Sequence, residues 1–286
     1  MKKFIAALAG ASAAFGLVAC GSVESSDNAE STGANNETVS ADEWKAPEGL
    51  SGSIDYYSAN PQGLTDALVE AFQDRTGVTV NVFAGTTGEV TAKIKAEEAN
   101  PQADVVYLAS WNAANKQAQT GALESYKPEN IEGANADWNA DDDTFHGRDG
   151  SALALVANTD VVSDIPSDWE DLADPKYADQ VIMPDPRESG TAADLLTAMI
   201  SEWGEDKTWE LFDKLFDNGM IVQGANGPAL DQVTSGSKGI VFGGVDYSAY
   251  SAKGKGEPLE VVIPSSGTTV TPRPVMIMKS SDNMDA

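Results

Sequence analysis

The sequence predicts an α/β protein in which mostly parallel strands alternate with helices, and three observations predict it. Short runs with period-two apolar alternation are followed by runs whose apolar residues recur three and four apart. The connections between them are short and rich in Gly and Pro, and 286 residues exceed one typical domain, so two domains are expected. Parallel strands need such helical crossovers, and ligands then bind beyond the carboxyl ends of the strands.

The regular pattern begins near Ser51. Gly52-Ser-Ile-Asp-Tyr-Tyr-Ser58 alternates as a strand, Asn60-Pro-Gln-Gly63 is a turn, and Leu64–Arg75 carries Leu64, Ala67, Leu68, Ala71 and Phe72 on one helical face before Gly77 stops it. Val78–Phe83 is a second strand, Gly85-Thr-Thr-Gly88 a second turn, and Glu89–Ala99 a helix with Val90, Ile94 and Ala96. Asp104–Leu108 is the third strand, which Trp111 and Asn112 are read as ending. Further on, Ser151–Ala157 reads as a buried strand and Gln180–Met183 as another. After Met183, two prolines break the chain, Ser189 is a natural helix cap, and Ala192–Ser201 has helix formers with Leu195, Leu196 and Met199. Trp203, Trp209, Leu211, Phe212, Leu215 and Phe216 recur at helical spacing and are expected in the core. Met220–Val222 is a strand, Gly224–Pro228 a loop, Ala229–Ser235 a helix, and Gly239–Gly244 a strand running into Val245-Asp-Tyr-Ser-Ala-Tyr250.

The two ends are of another character. Met1-Lys-Lys3 followed by the apolar run Phe4–Val18 and by Leu17-Val-Ala-Cys20 resembles a bacterial lipoprotein signal with its lipobox, so residues 1–20 are assigned to a cleaved signal peptide and Cys20 to lipidation. Residues 21–50 are dominated by Ser, Asn, Glu, Thr and Gly without periodicity, and read as a disordered tether. The closing Asp282-Asn-Met-Asp-Ala286 reads as the start of a helix cut short, so a truncated chain is expected.

Composition excludes several classes. With 45 acidic against 18 basic residues the formal charge is −27, which repels nucleic acid and anionic lipid surfaces. Cys20 is the sole cysteine, which removes disulfides and thiol catalysis. No Gly-x-Ser-x-Gly elbow, Walker sequence or dinucleotide fingerprint is present, so an enzyme is not expected. The single His146 sits in the polar stretch Asp141–Arg148 and is read as solvated, and Asp141–Asp143 lacks the spacing of a calcium loop. No cofactor and no resident metal is expected.

The candidate site follows from the loops at the strand ends. Ser58, Asn60, Thr86, Thr87 and Trp111 lie on the first group of loops, and Ser189, Gly190, Thr191, Asp246 and Tyr247 on the second. Thr86 and Thr87 open one helix as Ser189 and Thr191 open another, and two opposed helix N-termini would suit one small anion. Arg273, between Pro272 and Pro274, is either an anion contact or a hinge residue.

Ten or so short pieces, in order, carry a resemblance. Ile54-Asp-Tyr-Tyr-Ser58, Thr76-Gly-Val-Thr-Val80, Gly85-Thr-Thr-Gly-Glu89, Lys93-Ile-Lys-Ala-Glu97, Pro101-Gln-Ala-Asp-Val105 and Gly121-Ala-Leu-Glu-Ser-Tyr126 lead the series. Leu155-Val-Ala-Asn158, Pro166–Leu172, Asp174-Pro-Lys-Tyr177, Pro184-Asp-Pro186 with Ser189-Gly-Thr191, and Pro264 with Ser266-Gly-Thr268 complete it. Over about Ser51 to Lys279 the chain resembles the extracellular solute-binding proteins of ABC importers, in the group that holds ferric-ion and 2-aminoethylphosphonate binders. The resemblance implies a two-lobed Venus-flytrap fold of the type II periplasmic-binding-protein kind. Lobe 1 is expected at 51–148 plus 271–286 and lobe 2 at 149–270.

It further implies capture of a small anionic solute, favouring a phosphonate such as 2-aminoethylphosphonate, and delivery to the permease and ATPase of an importer by a membrane-anchored monomer facing the extracellular space or periplasm. The alternative is ferric iron, for which Asp246 and Tyr247 stand where ferric binders of the group carry adjacent tyrosines and Glu89 would join them; here one of the two positions is an aspartate. A lipid-anchored adhesin or a hydrolase is the rival from another class.

Overall fold

The computed structural model describes residues 45–129, 131 and 135–286. The signal peptide, Cys20 and most of the tether lie outside the described residues. Nine strands and seven helices follow in the order β1 Ser53–Ser58, α1 Gln62–Thr76, β2 Thr79–Ala84, α2 Thr87–Ala96, β3 Val105–Tyr107, α3 Trp111–Gln119, β4 His146–Asn158, β5 Val181–Met183, α4 Gly190–Trp203, α5 Glu205–Asp217, β6 Ile221–Val222, α6 Asn226–Thr234, β7 Ile240–Val245, α7 Asp246–Gly254, β8 Leu259–Val262 and β9 Val270–Ile277.

The strands hydrogen-bond in the order β2-β1-β3-β9-β4-β7-β5-β6, with β8 also on β4. β1, β2 and β3 are parallel to one another, as are β7, β5 and β6. β9 and β4 are the antiparallel joint between these two groups. β4 pairs with β9 from His146 to Ala152, then with β7 and β8 from Leu153 to Asn158. This is the mixed α/β, two-lobed arrangement of type II periplasmic binding proteins.

Local chemistry accounts for the helix starts. Thr86 accepts from the Glu89 amide while the Glu89 carboxylate accepts from the Thr86 amide, a capping box that begins α2 two residues before the expected Glu89. Ser110 and Ser189 cap α3 and α4 through the amides three residues on. Trp111 and Asn112 therefore open a helix rather than ending the third strand, because the Ser110 hydroxyl supplies the acceptor that turns the chain.

Alternation of side chains then sorts the core. Tyr57, Val106, Leu108, Phe145 and Met276 pack in the first half of the sheet. In the second half, Leu153, Leu155, Trp169, Leu195, Phe212 and Phe242 fill one face, and Ala154, Val156, Ile182, Val233 and Val241 fill the other. The aromatic stripe of α5 is only partly core. Leu211, Phe212 and Leu215 are buried, whereas Trp209 and Phe216 are 41% and 48% exposed. Trp209 packs edge-on and Phe216 tilted against Phe212, so both shield the core rim from the solvent side. The last residues form a turn rather than a helix start, and Ser281 and Asn283 donate to the Asp104 carboxylate.

Candidate functional site

The carboxyl ends of the parallel strands of both halves converge. From the first half come Ser58 at the end of β1 and Asn60 beyond it, Gly85–Thr87 after β2, and Leu108–Trp111 after β3. From the second come Asp185–Thr191 after β5, Gln223–Asn226 after β6, and Asp246 and Tyr247 after β7.

The helix starts of α2, α3 and α4 meet directly. The Gly88 amide donates to the Glu188 carbonyl at 3.2 Å, and a Cβ on Gly88 would lie 2.3 Å from the Arg187 oxygen. A Cβ on Gly190 would lie 2.6 Å from Ser110 Cβ and 2.7 Å from Thr87 Oγ1, so only glycine fits there without movement. Asp194, one turn into α4, reaches across to α3. Its carboxylate accepts from the Ser110 hydroxyl at 2.8 Å and from the Trp111 amide at 2.9 Å. A carboxylate at a helix start is favourable, but burial pushes the Asp194 pKa up, with the hydrogen bonds from Ser110 and Trp111 pulling the other way.

Of the opposed helix ends expected from sequence, the structure brings Thr87 and Gly190 into contact. Ser189 and Thr191 instead turn to Asn226. The Ser189 hydroxyl donates to Asn226 Oδ1 at 2.9 Å and Asn226 Nδ2 donates to Thr191 Oγ1 at 3.0 Å, which ties the starts of α4 and α6 together. Thr86 is occupied by its own capping box.

A second group gathers around Arg273. Its Nε and Nη2 donate to the two Asp149 oxygens at 2.5 and 2.6 Å, and Nη1 donates to Asn60 Oδ1 at 3.3 Å. The guanidinium also lies 4.8 Å from the centroid of the Tyr247 ring. Burial alone would lower the Arg273 pKa, yet the Asp149 carboxylate outweighs it and the net shift is upward. Tyr247 is 37% exposed, although enough of the phenol is covered for burial to raise its pKa against the pull of Arg273. Tyr107, below, is pushed up to about 12 by burial. Arg273 thus joins β4, α7 and the loop after β1. Ser58 backs the group, sharing its hydroxyl with Thr65 at 2.8 Å and accepting from the Asn60 amide.

Other candidates are placed apart. The Trp111 ring packs edge-on against Phe145 at 4.8 Å, half-buried at the rim of the core, where it also lines the larger surface depression. The three ferric candidates are each engaged locally: Glu89 in the capping box, Asp246 on the Tyr247 amide, and Tyr247 under Arg273. Among the described residues no three His, Cys, Asp or Glu side chains form a group able to hold a metal ion. His146 is not simply solvated, since Nδ1 meets Asn139 Oδ1 at 3.0 Å and Nε2 meets the Tyr126 carbonyl at 2.6 Å. Two surface depressions, of about 640 Å³ beside Phe145 and about 380 Å³ beside Trp203, are lined by none of Asn60, Thr87, Thr191, Tyr247 or Arg273.

Sequence reasoning did not single out Asp149, Ser151, Asp194, Asn226 and Thr271. Three buried hydroxyls, Thr87 Oγ1, Ser151 Oγ and Thr271 Oγ1, have no hydrogen-bond partner among the described residues. Buried polar atoms are nearly always paired, so these mark places where a partner is to be expected.

A family model described as bacterial extracellular solute-binding protein matches residues 100–286. The periplasmic binding protein AfuA of Actinobacillus pleuropneumoniae, solved with exogenous fructose-6-phosphate bound, is 26% identical with a TM-score of 0.77, covering 82% of this chain and 76% of that one. Iron-bound HitA of Pseudomonas aeruginosa is 22% identical with a TM-score of 0.72, over 80% of this chain and 76% of that one. Iron uptake protein A1 of Synechocystis sp. is 24% identical over 81% of this chain and 68% of its own length.

Proposed function

The chain belongs to the bacterial extracellular solute-binding proteins, and from that premise we propose that it is the receptor of an ABC importer for a small organic anion bearing a phosphoryl or phosphonyl group. The solute sits where the carboxyl ends of the strands converge, between lobe 1 at 51–148 plus 271–286 and lobe 2 at 149–270. Its anionic group is held near the starts of α2 and α4 and its remainder near Arg273.

The observation that carries this reading is Thr87 Oγ1, a buried hydroxyl in the first turn of α2 with no hydrogen-bond partner among the described residues, facing the first residue of α4. A hydroxyl donor beside two helix N-termini is matched to an oxyanion. The likeness to AfuA, solved with a sugar phosphate, supports a phosphorylated solute, and 2-aminoethylphosphonate is the smaller member of the same anion class. The relatives named for iron support ferric ion as the second reading. Against it stands Arg273, a cation already placed on the Tyr247 ring that a trivalent metal ion would have to approach. Delivery is to a membrane permease, with the tether and a lipid on Cys20 holding the receptor at the membrane.

Thermal unfolding tests the reading. A solute at a hundred times its Kd adds about 2.7 kcal/mol, which is about 5–10 °C in melting temperature for a protein of this size. A rise of that order with a sugar phosphate or phosphonate, and none with Fe³⁺, is the expected outcome. A rise with Fe³⁺ alone would transfer the assignment to iron.

A further inference from the structure

The register of the two joining strands leaves a short stretch that no third strand extends. β3 accompanies β9 only as far as Tyr107 opposite Val275, and β7 accompanies β4 only as far as Val245 opposite Leu153. Between those limits the ladders of β4 and β9 run only with each other, through Gly147 opposite Pro274, Asp149 opposite Arg273, Gly150 opposite Pro272, Ser151 opposite Thr271 and Ala152 opposite Val270. The Ser151–Thr271 rung therefore lies just past the carboxyl end of β3 on one side and of β7 on the other. α/β sheets bind their ligands beyond the carboxyl ends of their strands, the side on which this rung lies.

The side chains on this rung point to one face. Strand alternation places Ser151 on the same side as Asp149, and Thr271 on the same side as Arg273. Both hydroxyls are buried, and neither has a hydrogen-bond partner among the described residues. Two adjacent unpaired hydroxyls are costly to bury, and a purely structural rung would carry apolar side chains, as Leu153 two residues on does. Their surroundings define what they can read. A hydroxyl both donates and accepts, and the neighbouring Asp149 and Arg273 compensate each other's charge, so the rung offers a mixed and nearly neutral set of partners. A dianionic phosphoryl group is poorly matched to a site holding a carboxylate, whereas alcohol groups are well matched to it.

We infer that the Ser151–Thr271 rung, with Asp149 and Arg273 beside it, is a subsite for the hydroxyl groups of the solute's carbon skeleton, so that the solute is a polyhydroxylated phosphate ester of the sugar-phosphate class. The inference rests on the solute-receptor reading above and narrows it. The phosphoryl group lies toward the helix ends, the hydroxylated chain lies on the rung, and a phosphonate without hydroxyls leaves the rung unpaired.

Titration calorimetry on the full chain tests this with fructose 6-phosphate, 2-aminoethylphosphonate, inorganic phosphate and an alkyl phosphate without hydroxyl groups. The wild-type protein should bind fructose 6-phosphate at least about a hundredfold more tightly than the alkyl phosphate, at about tenfold per hydroxyl hydrogen bond. Thr271→Val and Ser151→Ala should each weaken fructose 6-phosphate about tenfold and leave phosphate itself unchanged, and Thr271→Ser should restore the affinity. If Thr271→Val melts well below wild type without ligand, Ser151→Ala and the wild-type comparison carry the test. Equal or tighter binding of 2-aminoethylphosphonate or the alkyl phosphate overturns the subsite while sparing the receptor reading, as does a loss that is the same for every ligand or no loss at all. Failure of all four ligands to bind wild type removes the receptor reading itself and the subsite with it.

Discussion

Replacing Asp194 by alanine removes the one carboxylate by which α4 reaches the start of α3. Asp194 is 5% exposed and accepts from Ser110 Oγ and the Trp111 amide at 2.8 and 2.9 Å. Hydrogen bonds to a charged group are worth about 1.5–3 kcal/mol each, and a negative charge at a helix start adds about 0.3–1 kcal/mol. Relief of the buried charge offsets much of this, because burial is the leading cause of the raised Asp194 pKa. The net loss expected for Asp194→Ala is about 2 kcal/mol, or about 4–8 °C in melting temperature. Asp194→Asn, which keeps one acceptor, should lose about half as much.

The pH dependence has a definite sign. A carboxyl whose folded pKa is raised contributes stability that is fully present below its unfolded value, near 3.8, and is lost as pH rises through the folded value. The advantage of wild type over Asp194→Asn should therefore shrink as pH rises upward from 3.8. Differential scanning calorimetry of the three proteins across that window measures both effects. A melting temperature unchanged in Asp194→Ala, or a wild-type advantage that grows with pH, would refute the assignment of Asp194 as a buried carboxylate bridging the halves.

Three other outcomes are expected. Gly190→Ala sets a Cβ 2.6 Å from Ser110 Cβ and 2.7 Å from Thr87 Oγ1, an overpacking worth about 1–3 kcal/mol; chemical denaturation should show that loss together with weaker solute binding, and an unaltered midpoint would mean that the helix ends do not meet. Ser189→Ala with Thr191→Ala should weaken solute binding while leaving the protein folded, at a capping cost of about 1 kcal/mol; unchanged affinity in calorimetry would return this stretch to a merely structural role. Arg273→Ala leaves Asp149 without its guanidinium and removes the contacts to Asn60 and Tyr247, a loss of about 2–3 kcal/mol once the partial exposure of Asp149 is counted; a melting temperature within about 2 °C of wild type would contradict its place at the joint.

Legibility in the sequence followed the range of the interactions. The strands of the first half and the caps at Thr86 and Ser189 were readable because period-two alternation and side-chain caps are local. β9 was not, since Pro272 and Pro274 argue against a strand flanked on both sides. The fold accommodates them because a proline lacks only its donor, and the Pro274 carbonyl still accepts from the Leu108 amide. With β9 unread, the pairing of Ser151 with Thr271 and of Asp149 with Arg273 was out of reach, because register between strands more than a hundred residues apart leaves no local mark. Asp194 carries no signal either: inside a helical pattern an aspartate reads as a solvated face, and only the approach of α3 makes it a cap. The exposed aromatic rings of α5 show the opposite error, where helical spacing marks a face without fixing how far burial extends around it.

We propose that a phosphorylated organic solute binds where the two halves of the sheet meet. The most direct test is titration of the protein with fructose 6-phosphate, followed by both calorimetry and small-angle scattering. Saturation at one solute per chain with a smaller radius of gyration in the bound form is expected, because contacts from both halves favour the closed arrangement. Saturable binding of Fe³⁺ with a phenolate charge-transfer colour, and none of the sugar phosphate, would contradict it.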